Sequence, residues 1–164
     1  VPIPDYRYTL AALPEGEDGV RVTLRIMRTF KDQYKKLPWV RNFANDLTRT
    51  IPQKGYMAEI NAIFNFVRDN IRYMKDTAGV EQVQTPEVTL HRGSGDCDDK
   101  SVLLATLLEA AGHPTRYFAM GSKPDRFSHV LVETRVGNKW IFLDPTEPHA
   151  AGWRPPVVAK YMRG

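Results

Sequence analysis

The 164-residue sequence contains one cysteine, Cys97. That excludes an intramolecular disulfide and any metal site built from cysteines alone. No apolar run approaches the ~20 residues of a membrane-spanning helix. The first residues, Val1-Pro2-Ile3-Pro4-Asp5, have neither the basic nor the apolar stretch of a secretory leader, which points to a cytoplasmic location. A strong excess of one charge is also missing: 23 Lys and Arg stand against 19 Asp and Glu, a net +4. The basic residues are scattered, with some excess between 21 and 54. A nucleic-acid footprint shows a denser stripe interleaved with aromatics, and a solvated helix face accounts for these charges equally well. There is no internal repeat.

What is present reads as one folded domain. Hydrophobic residues make up 42% and charged residues 26%, near the globular average. Residues 1–19 hold Pro2, Pro4, Pro14, Gly16 and Gly19 and read as an extended arm. Leu24, Met27, Phe30 and Tyr34 recur at helical spacing and predict a helix over most of 22–35. Pro38 suits the first turn of a second helix, carrying Val40, Phe43, Ala44 and Leu47. Met57, Ile60, Phe64, Val67 and Ile71 form a third amphipathic stripe. Residues 75–96 read as one long connection. A helix apolar nearly all round follows from Cys97 to Ala111, with Gly112 as its stop, and belongs at the centre of the fold.

After Pro114 the period changes to two. Strands are expected over 115–120, 128–136 and 139–144, the last two joined by Gly137-Asn138 as a hairpin turn. The tail from Glu147 holds Pro148, Pro155 and Pro156 and reads as a wrapping segment or an arm. Helices first, a central helix, then an antiparallel sheet is an α+β outline. It divides into an arm (1–19), one domain (20–146) and a Pro-rich tail (147–164).

Cys97 opens the buried helix just after Gly93-Ser94-Gly95-Asp96. Unpaired N–H groups at a helix start favour a thiolate, and the Cys97 N–H is itself a candidate oxyanion donor. A buried structural cysteine is the alternative. Asp98 and Asp99 oppose thiolate formation; capping the helix, with a salt bridge to Lys100 or an arginine, explains both. A calcium site using Asp96, Asp98 or Asp99 is a second explanation, although the spacing is not that of an EF-hand loop. Among the histidines, His129 stands apart from His91, His113 and His149 because it begins a strand. With a two-residue turn at Gly137-Asn138, Glu133 lies opposite Phe142 and Leu131 opposite Asp144. His129 and Asp144 then share one face as diagonal neighbours. A carboxylate there is expected to accept the Nδ1 proton and orient the ring toward the thiol.

Gly95-Asp96-Cys97-Asp98-Asp99-Lys100, His129-Val130 and Trp140-Ile141-Phe142-Leu143-Asp144-Pro145-Thr146 together resemble the transglutaminase-like superfamily. The similarity reaches back to Phe66-Val67-Arg68-Asp69-Asn70-Ile71-Arg72-Tyr73 and covers roughly residues 56 to 146. The resemblance implies a papain-like α+β core and a Cys-His-Asp triad in this chain order. Cys97 would be the nucleophile, His129 the base and acid, and Asp144 the orienting carboxylate. It implies acyl transfer at an amide through a thioester, on a protein or peptide substrate; no cofactor is expected, with calcium at the aspartates as the alternative. Hydrolysis by a peptidase or amidase is favoured over cross-linking, because the chain is short. Papain-like sites often add a side-chain oxyanion donor, for which Gln84, Gln82 and Tyr73 are the candidates. Leu13-Pro14-Glu15-Gly16, Gly19 to Leu24 and the basic helix after them are similar to short phage and prophage members. That would make the protein virion-associated, acting on phage structural proteins or cell-wall peptide. The rival reading is a non-catalytic structural or binding module on the same fold.

Overall fold

The computed structural model describes residues 7–10, 16–77 and 81–164. Much of the expected arm therefore lies outside the described residues, including Leu13-Pro14-Glu15. Strand β1 (Arg7–Leu10) is followed by three helices, α1 (Glu17–Tyr34), α2 (Pro38–Thr48) and α3 (Tyr56–Asn70). Helix α1 begins five residues earlier than its apolar spacing suggests, with Glu17 and Asp18 in the first turn, where carboxylates favour a helix start. It buries Leu24, Met27 and Phe30 on one face; Ile60, Ile63, Phe64 and Val67 do the same for α3. Tyr56 and Met57 of that helix stay exposed.

The stretch expected as one connection is built instead. It holds β2 (Arg72–Tyr73), β3 (Glu81–Gln84), helix α4 (Pro86–Arg92) and β4 (Ser94–Gly95). Thr85 caps α4 by accepting from the Val88 N–H at 3.3 Å, Pro86 occupies its first turn, and Gly93 ends it at φ 65. Strand β3 pairs antiparallel with β1, and β2 pairs parallel with β4, Tyr73 beside Gly95.

Helix α5 (Cys97–Ala110) packs against α1, α2, α3 and α4 on one side and the sheet on the other. Val102, Leu103, Leu104, Leu107 and Leu108 are fully buried, each worth roughly 1.5–3 kcal/mol of apolar burial. Gly112 ends it at φ 96, its N–H on Glu109 and that of His113 on Leu108, which satisfies two otherwise orphaned carbonyls.

Strands β5 (Thr115–Gly121), β6 (His129–Val136) and β7 (Lys139–Leu143) meander antiparallel, and the tail returns as β8 (Lys160–Arg163). The order is β7-β6-β5-β8. Val136 pairs with Lys139 and Glu133 with Phe142, the register expected of the Gly137-Asn138 turn. Two backbone bonds between Tyr117 and Gly164 extend the β8 edge, and Arg163 anchors it by donating to the buried Glu133 at 2.8 Å. Gly121 is required where the chain after β5 folds back, since a Cβ there would lie 1.8 Å from the Arg126 carbonyl oxygen. Among the described residues no helix is long and apolar enough to cross a membrane.

Candidate active site

The site begins with how α5 starts. Asp96 caps it, accepting from the N–H groups of Asp98 at 3.0 Å and Asp99 at 3.1 Å. Asp99 reciprocates by accepting from the Asp96 N–H at 3.1 Å, a capping box with aspartate in both positions. The other face of Asp99 takes the Gln84 N–H at 2.7 Å and the Gln84 side-chain amide at 3.0 Å, tying β3 to α5. Gly95 admits this closeness: a Cβ on it would lie 2.6 Å from the Asp99 Cβ. Capping is thus the role observed for Asp96 and Asp99. The expected salt bridge to Lys100 does not form, because the Lys100 ammonium turns the opposite way, to the carbonyls of Ile71 at 2.5 Å and Arg68 at 3.2 Å.

This start docks against the beginning of β6. Ser101, one turn along α5 from Cys97, donates to the Val130 carbonyl at 3.4 Å. The backbone N–H of Val130, the residue next to His129, acts on the Cys97 sulfur and favours its ionised form. The helix-start argument for a ready thiolate fails here. Burial pushes the Cys97 thiol well above its ordinary range, and the charges of Asp98, Asp96 and Asp99 add to the effect. The Asp98 carboxylate lies 3.8 Å from the sulfur. Burial and the neighbouring carboxylates also push Asp96 up to about 9.

His129 Nε2 meets Asp144 Oδ2 at 2.7 Å, as the hairpin register implied. The expectation that Nδ1 would meet the carboxylate is corrected. A diagonal partner is far, Asp is short, and only the outer ring nitrogen reaches it. Nδ1 is thereby left for another partner. Asp144 is buried, and its second oxygen accepts from the Thr146 N–H at 3.0 Å and hydroxyl at 2.7 Å. Burial alone would raise its pKa; the bonds and charge from His129, with those from Thr146, outweigh it and hold the carboxyl below the usual range. An ionised Asp144 fixes the Nε2 proton on the imidazole.

The three oxyanion candidates separate. The Gln84 amide nitrogen has as partners the Ser94 carbonyl at 3.0 Å, Asp99 at 3.0 Å and Thr89 Oγ1 at 3.4 Å. Its protons brace the loop under α5 and are not free for an oxyanion. Gln82 lies two residues earlier on the same strand, its backbone N–H on Asp76 at 2.8 Å. Tyr73 is 48% exposed, and its hydroxyl pKa is raised by partial burial and then by the charge of Cys97. It is therefore the candidate that shares the sulfur's surroundings. Beside it opens a cavity of about 380 Å³, walled by Ile71, Arg72, Tyr73, Lys100, Thr146 and Glu147 among others. Lys100 and Thr146 escaped the sequence reading as site residues. The one available signal was position, Lys100 three residues after Cys97 and Thr146 two after Asp144.

The other histidines serve elsewhere: His113 bonds Glu59 at 2.8 Å, and His149 stacks on Trp153 at 4.1 Å. Among the described residues no group of three His, Cys, Asp or Glu side chains is arranged to hold a metal ion.

Comparison with known proteins bears on this arrangement. No curated protein matches the sequence. Among solved structures, a candidate cysteine protease from Cytophaga hutchinsonii superposes with a TM-score of 0.55 at 22% identity, over 74% of this chain and 42% of that one. A candidate protease from Parabacteroides distasonis gives 0.59 at 14%, over 90% and 35%. LapG of Legionella pneumophila, EGTA-treated, gives 0.56 at 17%, over 80% and 78%. At these identities the likeness is one of fold, and this chain spans less than half the length of the first two. A family model described as the transglutaminase-like superfamily matches residues 41–145. That range spans α2 through the start of α5 and the β6–β7 hairpin to Pro145, well over half of the chain, and on that ground the chain belongs to the transglutaminase-like superfamily.

Proposed function

We propose that the protein is a cysteine hydrolase, a peptidase or amidase, with Cys97 as nucleophile, His129 as base and acid, and Asp144 as the orienting carboxylate. The observation that carries this reading is the 2.7 Å His129–Asp144 bond at the head of β6, one residue from the Val130 carbonyl that Ser101 of the Cys97 helix bonds. The fold shared with protease-described structures supports it.

Because the thiol is held protonated, attack is base-assisted rather than launched from a standing thiolate. His129 Nδ1 takes the thiol proton as Sγ bonds to the amide carbon, and the carbonyl electron pair moves onto oxygen. The Cys97 N–H and the Tyr73 hydroxyl are the donors assigned to that oxyanion. As the pair returns, the C–N bond breaks and the imidazolium gives its proton to the leaving nitrogen. Water then attacks the thioester, His129 takes its proton, and the C–S bond breaks to return the thiol. An amine in place of water gives acyl transfer by the same steps. Asp144 stays ionised throughout and stabilises the imidazolium.

The test is mass spectrometry of peptides and cell-wall fragments incubated with wild-type protein and with Cys97→Ala. Wild type should produce cleavage or side-chain amide loss with uptake of one water, and Cys97→Ala none while remaining folded. Asp144→Asn should lose most turnover, because the imidazole tautomer is no longer fixed. Turnover surviving in Cys97→Ala would overturn the mechanism. A wild type inert toward every substrate would leave the binding module.

A further inference from the structure

Lys100 is a lysine only 2% exposed, one helical turn from the cysteine. Such burial is rare for a lysine unless its ammonium is held. Two of its three protons are accounted for by the Ile71 and Arg68 carbonyls. These carbonyls sit at the end of α3, where helix oxygens lack partners within the helix. Ile71 leads directly into β2, where the Arg72 N–H, and just past it the Met74 N–H, hydrogen-bond the Gly93 and Gly95 carbonyls before the cap. Lys100 thus ties the strand bearing Tyr73 to the helix bearing Cys97. It also lines the cavity beside the site and feels the charge of Asp144.

We propose that Lys100 is a positioning residue of this site: it clamps the α3–β2 junction so that Tyr73 stands beside the sulfur, and it sets a cation on the cavity wall that it shares with Thr146, the partner of Asp144. The inference rests on the triad reading for its effect on turnover, but its electrostatic part stands independently of it. The charged groups that act on the ammonium are Asp144, just after β7, and Asp69 and Arg68 of α3, and Arg72 of β2 and Glu147 share the cavity wall with it. Burial lowers the Lys100 pKa to about 8, with Arg68 adding to the fall, while Asp144 and Asp69 oppose it. As pH rises through that value the cation is lost and one N–H donor with it.

Two measurements decide the matter. The first is carbon-13 NMR titration of the Lys100 Cε in the Cys97→Ala protein, with and without Asp144→Asn. Removing the carboxylate should move the Lys100 midpoint down by roughly half a pH unit, the size expected of one nearby charge. This needs neither turnover nor a lysine variant, so it reads the inference even if the proposed reaction fails. An unmoved midpoint overturns the cation role. The second is the pH–rate profile of Lys100→Arg and Lys100→Met. An arginine keeps its charge, and the cavity has space for its larger head. Lys100→Arg should therefore keep most of kcat and extend activity above pH 8, whereas Lys100→Met should lose at least tenfold in kcat. A profile for Lys100→Arg that falls at the same pH as wild type, or a folded Lys100→Met with wild-type kcat, overturns the clamp. Should Lys100→Met not fold, the arginine profile and the NMR titration each still decide.

Discussion

Replacing Asp98 by asparagine should make Cys97 more acidic. The Asp98 carboxylate lies 3.8 Å from the sulfur and is a leading cause, after burial, of the raised thiol pKa. Two like charges at that distance repel by about 1–2 kcal/mol at the effective dielectric of ~40–80 suited to a partly exposed pair. That is roughly 0.8–1.6 pH units. Asparagine keeps the shape and removes the charge, and the helix loses ~0.3–1 kcal/mol of charge–dipole stabilisation, too little to unfold it. The assay is the pH dependence of iodoacetamide alkylation, unambiguous because the chain has one thiol. Wild type should titrate above the ~8.5 of free cysteine, and Asp98→Asn about one unit lower than wild type. At pH 8 alkylation should accelerate about three- to fourfold, because a more acidic thiolate is also a weaker nucleophile. A wild-type midpoint at or below that of free cysteine, or an unmoved midpoint in Asp98→Asn, would refute the electrostatic account of the site.

Gly95→Ala should destabilise the protein by ~2 kcal/mol or more in urea unfolding, because the new methyl must push the Asp99 side chain off its cap; unchanged stability would show that the strand yields. Glu109 is held by Lys31 at 2.9 Å, Lys35 at 2.8 Å and the Thr115 hydroxyl at 2.6 Å. Glu109→Ala leaves the buried Lys31 unpaired and should cost about 3–5 kcal/mol, a loss under 1 kcal/mol contradicting this. Asp96 has its folded pKa raised to about 9. It therefore contributes stability that is full below the unfolded pKa and lost as pH rises toward 9. Asp96→Asn keeps the cap, so its melting temperature relative to wild type should climb from pH 5 to pH 9; a flat difference rejects the shift. Glu133 and Glu109 behave oppositely. Burial tends to raise both pKa values, but their basic partners hold them below the usual range. Each contributes stability above pH ~4.5 that disappears in acid, and thermal scans from pH 6 to 3 should show less acid loss in Glu133→Gln.

The sequence alone determined the elements whose residues carry their own signal. The stripes of α1, α2 and α3, the all-round apolar α5 with its Gly112 stop, and the Gly137-Asn138 hairpin are local patterns, fixed by periods of 3.6 and 2 and by turn chemistry. That hairpin register by itself places His129 and Asp144 on one face. Helix α4 falls within the stretch read as a connection, because its seven residues are too few to show a period. Only the tertiary structure decided the rest, because it depends on partners distant in the chain. Strand β3 exists by pairing with β1 and β8 by pairing with β5. The ring nitrogen facing Asp144 follows from diagonal distance, and the turn of Lys100 toward α3 follows from carbonyls left open at a helix end. The protonation of Cys97 reverses the local expectation for the same reason. A helix start favours a thiolate over one turn, but burial under β6 and three converging carboxylates act through space, and they outweigh it.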